Sequence, residues 1–166
     1  MIRIAICDDE KHMSDHIRSF VSDFFRKKNR EISLRMFSSG EELLSCNGQI
    51  DILFLDIQMK EMDGMETARK LRAGQFRGVL IFITVLKEMV FQSFEVQAYD
   101  YLVKPVDKKQ FEKTMERLYT SMQNASEDSL LVQKGYEGRI IREEEIVFCE
   151  IIDRKIYLNL TSGEVV

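Results

Sequence analysis

Asp51-Ile52-Leu53-Phe54-Leu55-Asp56 is the stretch that decides the fold. Four consecutive apolar residues between two acids are typical of a strand that is buried on both faces, as strands of a parallel sheet are. Other short apolar runs also end directly at a polar or charged residue: 2–7 before Asp8 and Asp9, 79–83 before Thr84, and 101–103 before Lys104. The sequence therefore predicts a central strand over 51–56, with buried strands of the same kind beside it.

Helical patterns separate these strands along the chain. Residues 10–28 carry an apolar stripe with a spacing of three and four residues, and Phe111, Met115, Leu118 and Met122 repeat that spacing in the last helix. The predicted strands cover 2–7, 32–37, 51–56, 78–84 and 99–103, and the other predicted helices begin near Ser39 and cover 65–72 and 87–95. Alternating strands and helices predict the α/β class, here a flavodoxin-like, doubly wound sheet of five parallel strands.

Five side chains are predicted to meet at one edge of that sheet. The carboxyl ends of parallel strands share an edge, where ligands gather, and the residues that follow the strands are Asp8, Asp9, Asp56, Thr84 and Lys104. Carboxylates suit Mg²⁺, which prefers oxygen ligands, and a carboxylate can also accept a phosphoryl group as an acyl phosphate. An ammonium and a hydroxyl can bind phosphoryl oxygens. The pattern indicates a divalent-cation and phosphoryl site.

Length and composition indicate a globular protein and argue against a membrane-spanning or secreted one. The chain has 166 residues, a net charge of -4 and 45% apolar residues, which suits a globular protein with one full domain and a smaller part. Its longest apolar stretch, 79–86, is too short to cross a bilayer, and no signal peptide precedes the first strand. Three cysteines without close spacing favour free thiols. We therefore expect a cytoplasmic protein that does not contact a membrane.

The residue composition and the hydrophobic pattern change after Met122. Residues 123–129 are small and polar, as a linker would be, and short β-like runs follow at 130–132, 139–141, 146–148 and 156–160. Residues 124–166 contain five Lys or Arg against nine Asp or Glu, whereas residues 1–123 contain 19 of each. We predict a domain over 1–122, a linker over 123–129 and a short all-β part over 130–166 that is too small for a full core of its own.

The motifs together resemble the receiver domain of bacterial response regulators. The resemblance covers about residues 1–122 and rests on Cys7-Asp8-Asp9-Glu10, Asp56-Ile57-Gln58-Met59, Met62-Asp63-Gly64, Thr84 and Tyr101-Leu102-Val103-Lys104-Pro105. It implies that Asp56 accepts a phosphoryl group from a sensor histidine kinase, and that Lys104 bridges to that group. It implies Mg²⁺ held by Asp9, Asp56 and the Gln58 backbone carbonyl, with Asp8 assisting through water. Thr84 and Tyr101 would form the switch pair.

The tail resembles the first strands of a LytTR-type DNA-binding domain. The resemblance rests on Val132-Gln133-Lys134-Gly135, Glu145-Ile146-Val147-Phe148-Cys149-Glu150 and Tyr157-Leu158-Asn159-Leu160. Together the two resemblances imply a regulator of transcription, activated by phosphorylation, that switches rather than turns over a substrate. Promoter DNA would be bound through an output domain of which residues 130–166 are the N-terminal part. Phosphorylation would change the surface of the fourth and fifth predicted helices, and hence either homodimer formation or presentation of the output domain.

Two other functions stay open at this point. The first is a receiver that acts only through protein–protein contact. This function stays open because the acidic tail has no stripe of basic residues that could bind the phosphates of DNA. The second is a Mg²⁺-dependent aspartyl-phosphate phosphohydrolase, but haloacid-dehalogenase-like enzymes carry a second acid where this chain has Gln58.

Three departures from the receiver pattern bear on the lifetime of the acyl phosphate. Lys60 replaces the usual proline, Val85 replaces a small residue, and neither Gln58 nor Leu86 offers a carboxylate near the hydrolytic water. We therefore predict slow hydrolysis of the acyl phosphate.

Overall fold

A computed structural model describes residues 1–86, 89, 93–125, 129–134, 137–152 and 155–166. Its chain divides into two compact units, Met1–Met115 and Glu116–Val166. None of the helices in the described part of the chain is long and apolar enough to span a bilayer.

The first unit contains a parallel sheet of five strands. The strands are β1 (Ile2–Cys7), β2 (Ile32–Phe37), β3 (Ile52–Leu55), β4 (Val79–Thr84) and β5 (Asp100–Val103). They lie in the order β2-β1-β3-β4-β5 and every neighbouring pair is parallel. This is the predicted flavodoxin-like topology, so the predicted fold class is confirmed. The strand order reverses at β1, which creates the crevice between the carboxyl ends of β1 and β3.

In the described part of the chain, the α-helices that flank the strands are α1 (Lys11–Lys27), α2 (Gly40–Ser45), α3 (Gly64–Ala73) and α4 (Lys108–Ala125). Local side chains fix where two of them begin. Ser39 accepts a hydrogen bond from the Glu42 amide at the start of α2, and Asp63 accepts one from the Glu66 amide at the start of α3. Residues Phe94–Val96 form a 3-10 helix. The remainder of the predicted helix over 87–95 falls largely on Lys87, Glu88 and 90–92, which lie outside the described residues.

The core lies on both faces of the sheet because successive strand residues point to opposite sides. On one face, Ala5, Leu53, Leu55 and Phe82 pack in one cluster with Leu43 of α2 and with Met65 and Ala68 of α3. On the other face, the Phe54 ring lies 5.7 Å from that of Phe111 in α4, and Phe111 lies 5.4 Å from Phe20 in α1. The central strand β3 is buried along its whole length, as its sequence predicts.

A guanidinium fastens the end of α3 to the rest of this unit. Arg72 donates hydrogen bonds to the carbonyl oxygens of Val96 (2.8 Å), Phe76 (2.7 Å), Gly78 (3.0 Å) and Gln97 (3.2 Å). The 3-10 helix and the start of β4 are therefore both attached to one side chain. Burial lowers the pKa of Arg72, although four carbonyl acceptors surround the charge.

The second unit contains the last part of α4 and two antiparallel hairpins. The strands are β6 (Ser129–Lys134), β7 (Glu137–Arg142), β8 (Ile146–Ile152) and β9 (Lys155–Leu160), with a 3-10 helix at Glu143–Glu145. Ile141, Leu158 and Leu160 form its small core, to which Val132, Ile146 and Val166 add. The four predicted β-like runs fall within these strands. Helix α4 continues through Ala125, so the first three residues of the predicted linker are helical, and 126–128 lie outside the described residues.

Candidate functional site

Three aspartates meet where β1 and β3 end. Asp8 and Asp9 directly follow β1, and Asp56 follows β3. The Asp56 amide donates to the Cys7 carbonyl at 2.9 Å, and the Asp8 amide donates to the Phe37 carbonyl at 3.1 Å, so both backbones continue the sheet ladder by one residue. This register brings the two side chains together at the crevice, although 48 residues separate them in the sequence.

Lys104 reaches the same point from the end of β5. Its Nζ lies 2.6 Å from Asp56 Oδ2 and 2.9 Å from Asp8 Oδ2. All three side chains are almost fully buried, with 6% of the Lys104 side chain exposed, 4% of Asp8 and 2% of Asp56. A single ammonium thus neutralises part of the charge of two buried carboxylates. The Lys104–Pro105 peptide bond is cis.

Burial and pairing act in opposite directions on these charges. Burial raises the pKa of Asp8, and the hydrogen bond and charge of Lys104 offset only part of that effect. For Lys104, burial opposes the charged form, but the hydrogen bonds to Asp56 and Asp8 outweigh it, and the pKa is raised. The ammonium is therefore charged throughout the neutral range, as a phosphoryl-binding group needs to be.

The carboxylates fit a divalent cation. Asp8, Asp9 and Asp56 each offer one oxygen, and these oxygens all lie within 4.8 Å of one another. Three convergent carboxylates are a suitable ligand set for a hard cation that keeps some of its waters. Asp9 is partly exposed and Asp56 is buried, so the cluster opens toward solvent on the Asp9 side. Gln58 is exposed, and its backbone amide donates a hydrogen bond to Asp56 Oδ1 at 3.1 Å. This hydrogen bond holds the Gln58 backbone, and with it the Gln58 carbonyl, beside Asp56.

Leu86 connects the two residues that were predicted to act as a switch. Its amide donates to Thr84 Oγ1 at 3.4 Å, and its carbonyl accepts a hydrogen bond from the Tyr101 hydroxyl. Thr84 is fully buried, whereas Tyr101 is partly buried with its ring 6.1 Å from that of Phe82. Within the described ranges, no hydrogen bond joins Thr84 to Asp56. A rotation of Thr84 toward Asp56 would therefore break its contact with Leu86.

Sequence reasoning missed several residues around this site. Glu10 Oε1 lies 3.6 Å from Lys104 Nζ, and the Ser14 hydroxyl donates to the Asp8 carbonyl at 3.2 Å. The Lys60 amide donates to Asp9 Oδ2 at 3.4 Å, a contact that proline at this position could not make. The sequence showed only that Lys60 stands where the family usually has proline. The acceptor of a backbone amide depends on the conformation of the loop, which the sequence does not give.

Gly64 and Cys7 complete the surroundings of Asp56. A Cβ on Gly64 would lie 2.0 Å from the Asp56 carbonyl oxygen and 2.8 Å from Ile57 Cα, so only glycine lets α3 begin against this loop. Cys7 is buried, with its Sγ 3.7 Å from Met59 Sδ. Burial raises the pKa of the Cys7 thiol to about 12, which leaves the thiol protonated and unreactive beside the acidic cluster.

Comparison with known proteins places most of the chain in one family. The family profile described as "Response regulator receiver domain" matches residues 4–116. The transcriptional regulatory protein BtsR of Escherichia coli (strain K12) is 34% identical over 119 residues, which make up 71% of this chain and 48% of BtsR. The chain thus spans about half the length of that relative.

Curated relatives named LytT also match the second unit, and solved structures share the fold of the first. The sensory transduction protein LytT of Oceanobacillus iheyensis is 27% identical over 175 aligned positions that include 99% of this chain and 69% of LytT. The REC domain of AraT, a response regulator from Geobacillus stearothermophilus, superimposes with a TM-score of 0.64 and 25% identity. That match covers 75% of this chain and 98% of the AraT domain.

Proposed function

Because the chain belongs to the response regulator receiver domain family, we propose that Asp56 accepts a phosphoryl group from a sensor histidine kinase in a two-component system. One observation carries this proposal: the buried Asp56 carboxylate lies between the Lys104 ammonium, 2.6 Å away, and the oxygens of Asp8 and Asp9. The negative charge of an incoming phosphoryl group would then be stabilised from two sides. Lys104 supplies a cation on one side, and the aspartates supply the ligands for a second cation on the other.

The acidic cluster would hold Mg²⁺ through Asp9, Asp56 and the Gln58 carbonyl, with Asp8 assisting through water. When bound, Mg²⁺ would offset the repulsion among the carboxylates and attract the anionic donor. An Asp56 oxygen would attack the phosphorus atom of the donor phosphohistidine. The new oxygen–phosphorus bond forms as the phosphorus–nitrogen bond breaks, and the electron pair leaves with the imidazole. Lys104 would exchange part of its contact with Asp56 for a phosphoryl oxygen.

Thr84 and Tyr101 would transmit the effect of phosphorylation to the surface through a change in conformation. The Thr84 hydroxyl would turn toward a phosphoryl oxygen and release the Leu86 amide. Leu86 is also the residue whose carbonyl accepts the hydrogen bond from the Tyr101 hydroxyl. Two side chains with a shared backbone partner form a bistable element of the kind that phosphorylation can bias. The affected surface would be that of the fourth and fifth predicted helices, of which the fifth is α4. It would serve dimerisation or presentation of the output domain.

The two hairpins of the second unit would belong to the output part of the protein. We assign residues 1–122 to the receiver, 123–129 to a linker and 130–166 to the N-terminal part of a LytTR-type domain that binds promoter DNA. The LytT alignment supports this assignment, because it continues through the second unit. The predicted cytoplasmic location and the predicted role as a switch rather than a turnover enzyme belong to the same proposal.

Phosphorylation by a small donor tests the proposal directly. Incubation with acetyl phosphate and Mg²⁺ should add one phosphoryl group to the intact protein, as measured by mass spectrometry, and EDTA should prevent it. Asp56→Asn should abolish the addition. Asp51→Asn is the matched control, since it removes a carboxylate from the opposite end of the same strand and should leave the addition intact. Labelling of the Asp56→Asn variant at the wild-type level would refute the proposal, and steady turnover of a phosphate ester would favour a phosphohydrolase.

We also propose that the acyl phosphate is hydrolysed slowly. Val85 is 51% exposed and immediately follows Thr84, so its branched side chain can restrict the approach of water to the phosphoryl group. Val85→Ala should therefore shorten the lifetime of the phosphorylated protein in Mg²⁺. A wild-type lifetime of seconds, or no change on substitution, would contradict this proposal.

A further inference from the structure

A cavity of about 670 Å³ opens at the edge of the five-stranded sheet where β4 and β5 begin. It lies between the end of α3, the start of β4 and the segment that joins the 3-10 helix at Phe94–Val96 to β5. Asp56 and Lys104 follow the carboxyl ends of their strands, so the cavity is at the opposite edge from the proposed phosphoryl site. Sites for small organic molecules have volumes of about 300–1,000 Å³. The cavity is therefore large enough for such a ligand.

Two arginines give this cavity a positive charge. Arg72 and Arg77 both line it, and within the described ranges neither guanidinium has a carboxylate at ion-pair distance. Burial and the nearby charge of Arg77 both lower the pKa of Arg72. Glu95 is the one carboxylate among the described lining residues, and it is already paired with Arg69 at 3.0 Å. A bound anion would stabilise both guanidiniums.

The Arg72 guanidinium is held in place and retains one free donor. Its hydrogen bonds to four carbonyl oxygens use four of its five N–H groups. Its carbon atom Cζ lies 5.0 Å from the centroid of the Phe76 ring, so the guanidinium also packs on an aromatic side chain. The fifth N–H, on Nη2, has no acceptor among the described residues. A fixed donor that borders an open cavity is suited to a ligand oxygen.

Much of the remaining wall of the cavity is apolar. Val79, Val96, Ala98 and Tyr99 line it, and Val96 is buried. The backbone of this wall is fixed, because the Tyr99 amide donates a hydrogen bond to the Leu80 carbonyl at 2.7 Å. Small-molecule sites typically combine such apolar walls with a few polar groups that orient the ligand. The combination suits a ligand with an apolar body and one anionic group.

We propose that this cavity binds a small organic phosphate, with its phosphate group on Arg72 and Arg77 and its apolar body against Val79, Val96 and Tyr99. A phosphate monoester carries a charge of about -1.5 to -2 at neutral pH. It can therefore balance both guanidiniums, whereas a carboxylate would balance only one of them. The fork of guanidinium N–H groups also matches the spacing of phosphate oxygens. The proposal does not depend on phosphorylation of Asp56.

Titration with phenyl phosphate tests the proposal on the 166-residue chain. The buffer contains EDTA, so that no divalent cation recruits the probe to the acidic cluster. In two-dimensional amide NMR spectra, we expect saturable shifts that are largest for residues 76–79 and 95–99. Phenol carries the ring without the anion, and inorganic phosphate carries the anion without the ring. Each should bind at least about tenfold more weakly than phenyl phosphate.

Arg77→Gln removes one of the two guanidiniums and should weaken the binding of phenyl phosphate about tenfold, because a charge-assisted hydrogen bond is lost. Arg77 is exposed, so the variant should keep the urea midpoint of the wild type, which shows that it is folded. Arg18→Gln is the matched control. Arg18 is an exposed arginine of α1 outside the cavity, and its loss should leave the affinity unchanged.

Several outcomes would overturn the proposal. Equal affinity of the wild type and Arg77→Gln, or the absence of saturable binding, would show that the two guanidiniums do not form an anion site. Equal binding of phenol would exclude recognition of the phosphate group, and equal binding of inorganic phosphate would exclude recognition of an organic body. Shifts centred on the loops that follow β1 and β3 would place the probe at the acidic cluster instead.

Discussion

Lys104 should contribute strongly to the stability of the first unit. Its ammonium contacts the buried carboxylates of both Asp56 and Asp8, and the loss of one partner of a buried pair leaves uncompensated charge. Lys104→Met keeps most of the side-chain volume. We expect it to lower the free energy of unfolding by about 3 kcal/mol in EDTA, as measured by urea denaturation.

The matched control for that variant is Lys108→Met. Lys108 is 51% exposed and lies 3.7 Å from Asp23, so its loss should change the free energy of unfolding by less than about 0.5 kcal/mol. Mg²⁺ should restore part of the stability of Lys104→Met because the cation takes over part of the compensation. Equal effects of the two substitutions would mean that Lys104 does not stabilise the carboxylate cluster.

Asp51 should contribute stability that depends on pH. The Arg3 guanidinium and amide donate to its carboxylate at 2.6 to 2.9 Å, and these hydrogen bonds hold the pKa of Asp51 below its usual range. The charged form is thus favoured in the folded state. This contribution is fully present above the unfolded-state pKa of about 3.9 and is lost as the pH falls through the lower folded-state value.

Asp51→Asn should therefore destabilise the protein at neutral pH and not in strong acid. Because the Asp51 and Arg3 side chains are 29% and 40% exposed, we expect a loss of no more than about 1 kcal/mol at pH 7. Urea midpoints of both proteins, measured from neutral pH downward, should converge in strong acid, once the pH has fallen below the lowered folded-state pKa of Asp51. A difference that stays constant with pH would contradict this assignment.

Helix α3 depends on a glycine at its first residue. Gly64→Ala would place a Cβ within 2.0 Å of the Asp56 carbonyl oxygen, which is backbone and cannot move aside cheaply. We expect the loop from Asp56 to Asp63 to shift, with a loss of about 1–3 kcal/mol in the free energy of unfolding. Phosphorylation by acetyl phosphate should also slow, since the same loop carries Gln58.

Gly74→Ala tests the same change at the other end of α3. There the nearest atoms to a new Cβ are carbonyl oxygens at 3.4 Å, and the backbone angle φ of -79° suits alanine. This variant should be close to the wild type in both unfolding and phosphorylation. A large effect of Gly74→Ala, or none of Gly64→Ala, would show that the close approach at Asp56 is not what requires glycine.

The charge of the whole molecule predicts weak contact with DNA. Residues 1–123 carry equal numbers of basic and acidic residues, and residues 124–166 carry a net charge of -4. Counterion release from phosphates is the main source of non-specific affinity, and it needs a basic surface. The 166-residue chain should therefore bind duplex DNA no more tightly than about 10⁻⁴ M at physiological salt, as measured by fluorescence anisotropy. Tight, salt-dependent binding would refute this prediction.

Much of the fold follows from local patterns in the sequence. Apolar runs such as 52–55 and the helical stripe of α1 specify their elements over a few residues, and the alternation of strands and helices then limits the sheet to few topologies. Helix ends were less well predicted. The apolar stripe of α4 ends near Met122, but the helix continues to Ala125, and both Gln123 and Ala125 are good helix formers.

The sequence by itself determined which polar residue follows each strand, and therefore that Asp8, Asp9, Asp56, Thr84 and Lys104 would share one edge of the sheet. That follows from the direction of parallel strands. Only the tertiary structure decided that Lys104 contacts both Asp56 and Asp8, that Leu86 links Thr84 to Tyr101, and that α3 begins against the Asp56 carbonyl. These contacts depend on distances of a few ångströms between remote segments, and such distances are set by packing and not by any local pattern.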